Sequence, residues 1–195
     1  MSRNGSAKDA KWIEADPTFV FHYMNSYEEN GSIICDCMEF GLPPLFPYAD
    51  GTMPKQSEAE AKHARWEIDI KNSKLIKTSL DNITGEFPRF DERFALRKYT
   101  HGYYAGSIGN HPRGMSLNSI IHYDYNTGER KSYTTAEGGA VGEPVFAPKS
   151  KDSKDGEGWL IATEYNGSEN RSNLIFLDAQ HVDDGPVATA QLPHR

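Results

Sequence analysis

Short apolar or alternating runs, bounded by Gly, Asn and Asp, recur along this 195-residue chain, and helical periodicity is hard to find. The pattern predicts strands over 19–23, 32–40, 65–70, 74–80, 99–105, 118–125, 129–134, 143–148, 158–165, 173–178 and 186–192. Eleven short strands with turn residues between them describe an all-β protein. The best helix candidate, GTMPKQSEAEAK at 51–62, is polar throughout and predicts a surface excursion with at most a turn or two. KSKDSKDGE at 149–157 is a charged loop between two strands. Phe19, Val20 and Phe21 are strand formers with His22 at their exit, and Asn25, Glu28 and Glu29 then lead into Asn30-Gly31, a two-residue hairpin signal. A histidine so placed either bonds a backbone carbonyl or faces a site.

A strand ending in aspartate and running into a turn occurs three times: ARWEIDIKNSK with Asp69, SIIHYDYNTGE with Asp124 and NLIFLDAQHVDDG with Asp178. The intervals are 55 and 54 residues. Gly85-Glu86 and Gly142-Glu143 recur in step with them, 57 apart. Two features at nearly one period, in fixed phase, imply a repeated unit of about four strands, which fits a β-propeller blade better than a solenoid turn. Three or so blades cannot close a ring of about four to eight, so the chain predicts part of a propeller. The innermost strand of each blade lines the axis, and residues at one phase in successive blades converge there. His22 precedes Glu86 by 64 residues, close to one period once the 51–62 excursion is allowed for. His22, Glu86 and Glu143 are therefore expected to approach the axis together, as a metal or acid-base site. On spacing alone, the alternative is that each glutamate caps its own blade.

Composition narrows the class. Hydrophobic residues at 37% and aromatics at 11% supply a core, which excludes disorder over most of the length. The net charge of −7, with no basic run, argues against nucleic acid or an anionic membrane as the main partner. Cys35 and Cys37, the only cysteines, are no disulfide framework and supply half of a four-cysteine zinc site at most; they read as small buried apolar residues. The amino-terminal MSRNGSAKDAKW lacks the apolar core of a signal peptide, which together with the cysteine usage predicts a cytoplasmic protein. The sequons at Asn4, Asn30, Asn82, Asn166 and Asn170 then read as turn chemistry.

FHYMNSYEE at 21–29 resembles the Phe-His-x-x-Asn-Ala-Tyr-Glu-Glu segment of the carotenoid cleavage oxygenase family, which includes the bacterial lignostilbene dioxygenases. GEFPRFDERF at 85–94 resembles its Gly-Glu-Phe-Pro-Arg-Ile-Asp segment, and Tyr99 to Tyr103 follows as the family's Tyr-x-x-Gly-Tyr does. GEPVFAPK at 142–149, GWLIATEYN and NLIFLDA are similar to its closing blades. Ser26 and Phe90 stand where the family has alanine and isoleucine. The likeness runs from about Trp12 to the last residue, and LPPLFPYADG at 42–51 looks more like the lignostilbene-type members.

The resemblance implies a seven-bladed propeller with ferrous iron, Fe(2+), on its axis, held by four histidines, that cleaves a carbon-carbon double bond with dioxygen into two carbonyl products. Residues 1–195 then form its C-terminal portion, three to four blades truncated at both ends, with 1–11 disordered. His22 matches the third histidine ligand in chain order. Glu86 and Glu143 match glutamates that bond the far nitrogen of a ligand histidine, Glu86 that of His22 and Glu143 that of a histidine in another blade. The fourth ligand is expected beyond Arg195, so His194 receives no metal role; His63, His101, His111, His122 and His181 match no ligand motif. The substrate is a small hydrophobic carotenoid, apocarotenoid or stilbene, and membrane association is not indicated. The isolated chain, with one ligand in four and unpaired strand edges, is expected to be inactive and prone to associate. Two alternatives remain. A non-enzymatic binding platform of kelch or WD type would show shorter repeats, near 40 to 50 residues, whereas Gly138-Gly139 is a lone double glycine and no Trp-Asp pair occurs. A hydrolase propeller would use Glu86 and Glu143 as direct metal ligands.

Overall fold

The computed structural model describes residues 4–55, 58–109 and 117–193. One antiparallel sheet runs in chain order through β1 (Phe19–Glu29), β2 (Ser32–Phe40), β3 (Ala61–Asp69), β4 (Lys74–Phe90), β5 (His101–Ser107), β6 (Ser119–Asp124) and β7 (Arg130–Thr134). A second holds β8 (Ala140–Val141), β9 (Val145–Pro148), β10 (Gly158–Asn166), β11 (Arg171–Asp178) and β12 (Pro186–Gln191), in the order β12-β11-β10 with β8 and β9 both on the free side of β10.

Register shows the seven-stranded sheet to be two blades sharing one long strand. Lys74 to Ser79 of β4 pairs with β3, Thr84 pairs with both Lys62 of β3 and Ser107 of β5, and Gly85 to Phe90 pairs with β5 alone. The strand thus leaves one blade as its outer edge and enters the next as its inner edge. The crossing is pinned by Asp81, whose carboxylate accepts from the Ile83 N–H (2.7 Å), Tyr104 Oη (2.9 Å) and Arg130 Nη1 (2.8 Å). Three four-stranded blades of a β-propeller result, with β1, the second half of β4 and the β8–β9 segment innermost.

The core lies between the blades. Blade two is packed on both faces, so β5 and β6 are buried at almost every position. Alternation divides them: Tyr104 and Ile121 join Met24, Met38 and Phe40 on the side of blade one, while Tyr103, Ala105 and Ile120 join Leu160, Ile175 and Leu177 on the side of blade three. Two-sided burial explains why GYYAG and SIIHYD read as continuous apolar runs. Strand β12 pairs on one side only, and all six of its residues are exposed.

Several expectations hold in detail. Asn30 and Gly31 take positive φ at the β1–β2 hairpin. Asp69, Asp124 and Asp178 each end the third strand of a blade, and each carboxylate accepts a backbone N–H from the turn that follows. Cys35 and Cys37 are unpaired and buried, and burial pushes the Cys35 thiol up to about 12. Other expectations are corrected. Residues 24–29 are not a polar turn but remain in β1, where buried Asn25 bonds the backbone of Phe94, Leu96 and Arg97. Strands begin at Ala61 and run to Phe90 where short segments were expected, so Asn82 lies inside a strand at the Asp81 crossing. Residues 7–9, within the stretch expected to be disordered, form one 3-10 turn, whereas the described part of 51–62 holds no α-helix, within the turn or two expected at most. No helix among the described residues is long and apolar enough to cross a membrane.

Candidate functional site

His22 and Glu86 both project from irregularities in innermost strands. The β1–β2 register slips between Val20 and Tyr23, so His22 lies in a bulge within the strand, not at its exit. The β4–β5 register slips between Glu86 and Arg89, with Phe87 at φ +58° inside the slip. Bulges re-aim side chains and interrupt the ladder, which is why they recur beside functional sites. Gly85 lets this bend form: a Cβ there would meet the Tyr104 ring at 2.6 Å and the Ala105 carbonyl oxygen at 2.7 Å. Gly85→Ala is expected to lower stability by about 1–3 kcal/mol in urea unfolding. A loss below about 0.5 kcal/mol would mean the neighbours yield without cost.

The two bulges bring together side chains 64 residues apart. His22 Nδ1 lies 2.6 Å from Glu86 Oε2. A carboxylate carries no proton to give, so Nδ1–H is the donor, and in the neutral ring Nε2 then holds the lone pair. Nε2 has no bond among the described residues, and the His22 side chain is 49% exposed against 8% for Glu86. Glu86 Oε2 also accepts the Phe87 N–H at 2.6 Å, while Oε1 is buried without a partner. Glu86 therefore both caps its own strand and crosses to the neighbouring blade.

Glu143 is held one step away. It lies in the link between β8 and β9, outside any strand, and its Oε1 is 2.7 Å from Arg89 Nη2. Arg89 also reaches Glu92 at 3.1 Å. Arg89 was missed by sequence reasoning, although it stands three residues after Glu86 in the same motif. No group of three or more His, Cys, Asp or Glu side chains among the described residues is placed to hold a metal. What fits a cation is a single imidazole with its tautomer fixed. Both glutamates already bond a cross-blade partner, which disfavours them as direct ligands.

The remaining described histidines are occupied elsewhere. His63 is fully buried and its Nε2 meets Tyr125 Oη at 2.7 Å; His101 Nδ1 and His122 Nε2 are 2.9 Å apart; His181 bonds Asp178. His111 and His194 lie outside the described residues. Aromatic surface surrounds His22: the Phe87 ring is 5.6 Å away, and Phe21, 6.3 Å away, continues into a cluster with Phe19, Phe40 and Phe46. Phe21, Leu45, Phe46, Tyr48 and Met53 are exposed on that side chain cluster and the loop that follows β2. An open groove of about 660 Å³ between Ile13, Ile33, Trp66 and Leu75 involves none of the site residues.

Residues 1–195 match the family described as retinal pigment epithelial membrane protein, RPE65. The chain is 33% identical, over its full length, to isoeugenol monooxygenase of Pseudomonas putida, covering 43% of that protein. It is 32% identical over 96% of its length to lignostilbene-alpha,beta-dioxygenase isozyme III of Sphingomonas paucimobilis, covering 41% of it. Among solved structures, lignostilbene dioxygenase of Pseudomonas brassicacearum superposes with a TM-score of 0.89 at 29% identity, over 99% of this chain and 43% of that one. Cobalt-substituted Synechocystis ACO superposes with a TM-score of 0.85 at 29% identity, over 99% of this chain and 40% of that one. The chain thus spans about two fifths of the length of the relatives it matches.

Proposed function

We propose, from the premise that this chain belongs to the RPE65 and carotenoid cleavage oxygenase family, that residues 1–195 form the C-terminal portion of a ferrous-iron dioxygenase. Its reaction cleaves a carbon-carbon double bond of a stilbene, carotenoid or apocarotenoid into two carbonyl products. Bound iron supplies the activation of dioxygen; the residues of this chain supply binding and orientation. His22 offers Nε2 to the metal because its other nitrogen is committed to Glu86. The carboxylate fixes the ring's tautomer and plane and makes the imidazole a better donor to a cation. Glu143 serves a histidine of another blade, with Arg89 holding one of its oxygens. The three remaining ligands come from outside these residues. The exposed apolar side chains beside His22 suit a hydrophobic, aromatic substrate.

One observation carries this assignment: the 2.6 Å bond between His22 Nδ1 and Glu86 that commits one nitrogen of a half-exposed ring and leaves the other without a bond among the described residues. Labelled dioxygen tests it. The full-length polypeptide, loaded with ferrous ion, is given a hydroxystilbene and an apocarotenoid side by side. One of them is expected to yield two carbonyl products, each carrying label. Label in one product only would make the reaction a monooxygenation, and no product from either substrate would sink the assignment. The 195-residue chain alone is expected to give none, since one imidazole holds ferrous iron too weakly.

A further inference from the structure

Five non-glycine residues among those described have positive φ: Asn30, Ser73, Phe87, Leu96 and Asn170. Four of them occupy links between strands; Phe87 alone lies inside one. A bulky L-residue takes the left-handed conformation only where its surroundings hold it. Three features hold this one. Pro88 follows it and disfavours the right-handed helical region. Its ring packs against the core between blades two and three. Its N–H is bonded to Glu86 Oε2, the same oxygen that receives His22 Nδ1–H.

We propose that Phe87 is a positioning residue acting through its backbone: the left-handed turn drives its N–H onto Glu86 Oε2, and the carboxylate so fixed receives His22 Nδ1–H, which in the neutral ring selects the tautomer with the lone pair on Nε2. Two donors on one oxygen, with the other oxygen buried and unpartnered, leave the carboxylate one orientation that keeps both bonds. In an ordinary extended conformation at residue 87 the one-residue slip would close, and a register change of one residue moves a side chain to the opposite face of the sheet. Glu86 would then lose His22. The significance for iron rests on the function proposed above; the hydrogen-bond geometry does not.

The test reads the tautomer directly, without metal or turnover. The full-length polypeptide, labelled with nitrogen-15 in histidine and stripped of metal with a chelator, is held at a pH where the His22 ring is neutral, and the His22 signals are assigned by their loss in His22→Gln. The unmodified chain is expected to show His22 as the Nδ1–H form, with a hydrogen-bonded N–H resonance. Phe87→Gly and Phe87→Ala both remove the ring and differ in their tolerance of positive φ. Phe87→Gly is expected to keep the Nδ1–H form, and Phe87→Ala to hold it at a roughly tenfold smaller ratio to the other tautomer. Phe87→Asn, which tolerates the left-handed region, should side with glycine, and Phe87→Leu with alanine. This second pair decides the matter if one small variant does not fold, the His63 to Tyr125 resonance serving as the folding control. Equal tautomer ratios in the glycine and alanine variants, or in the asparagine and leucine variants, would overturn the proposal. If the tautomers follow the expected order while the full-length protein retains no iron, the metal assignment fails and this one stands; the reverse pairing of results separates them equally.

Discussion

If the full-length polypeptide has the function proposed above, His22→Ala is expected to abolish iron retention and product formation, and Glu86→Gln to lower ferrous-ion affinity by about 10–100-fold. The asymmetry follows from what each residue touches. Without His22 the metal would lose a ligand outright. Glutamine keeps an acceptor oxygen for Nδ1–H but removes the negative charge that makes the imidazole a stronger donor. It also introduces an NH₂ group where Glu86 has a buried atom without a partner. Glu86→Asp keeps the charge and shortens the reach, so the 2.6 Å contact cannot be kept without the strand moving. Equilibrium dialysis against a chelator, with metal analysis of the retained protein, measures all three variants. Native affinity in Glu86→Gln would remove the carboxylate from the site's function and leave it the cap of its own strand.

Acidification from pH 7 to pH 4 is expected to destabilise the chain by about 6 kcal/mol, most of it through two histidines remote from His22. Burial pushes His63 down to about 4, against the opposing pull of Asp36 and Asp81. Burial and the neighbouring His101 lower His122 to about 4. Both are therefore neutral in the folded chain at pH values where the unfolded chain, with histidine near 6.5, binds protons. The unfolded state then holds more protons, so stability rises with pH through this window. The contribution is complete above pH 6.5, falls as pH drops toward 4, and changes no further below that. Each group accounts for on the order of 3 kcal/mol. Asp178 and Glu39, whose carboxyl groups are held below their ordinary values by hydrogen bonds that outweigh burial, lose stability in the same direction at lower pH. Urea unfolding at a series of pH values should report uptake of about two protons near pH 5. Uptake of fewer than one would show that His63 and His122 can be protonated in place, and His63→Gln should remove about half of the dependence.

Family membership bears on the competing explanations of the repeat. A kelch or WD platform is set aside by the match over residues 1–195. The hydrolase alternative required Glu86 and Glu143 as direct ligands, but their carboxylates are engaged by His22, Phe87 and Arg89.

The parts of this protein that its sequence determined are those set by local chemistry repeated in phase. Turn residues at Asn30-Gly31 and after Asp69, Asp124 and Asp178 mark the blade ends, because a side-chain acceptor or a tolerated positive φ acts within a few residues of itself. The recurrence of Gly-Glu beside those marks, with the interval from His22 to Glu86, placed these residues and Glu143 at corresponding points of successive repeats. Only the tertiary structure decided the bulges that carry His22 and Glu86, the passage of β4 between blades, the left-handed backbone at Phe87 and the pairing of Glu143 with Arg89. Each depends on a partner far along the chain: Tyr104 and Arg130 for the crossing, the core of blade three for Phe87, and a neighbouring blade for His22. Local preference would have drawn these residues into regular strands, and it is packing between blades, available only once the sheets stack, that outweighs it.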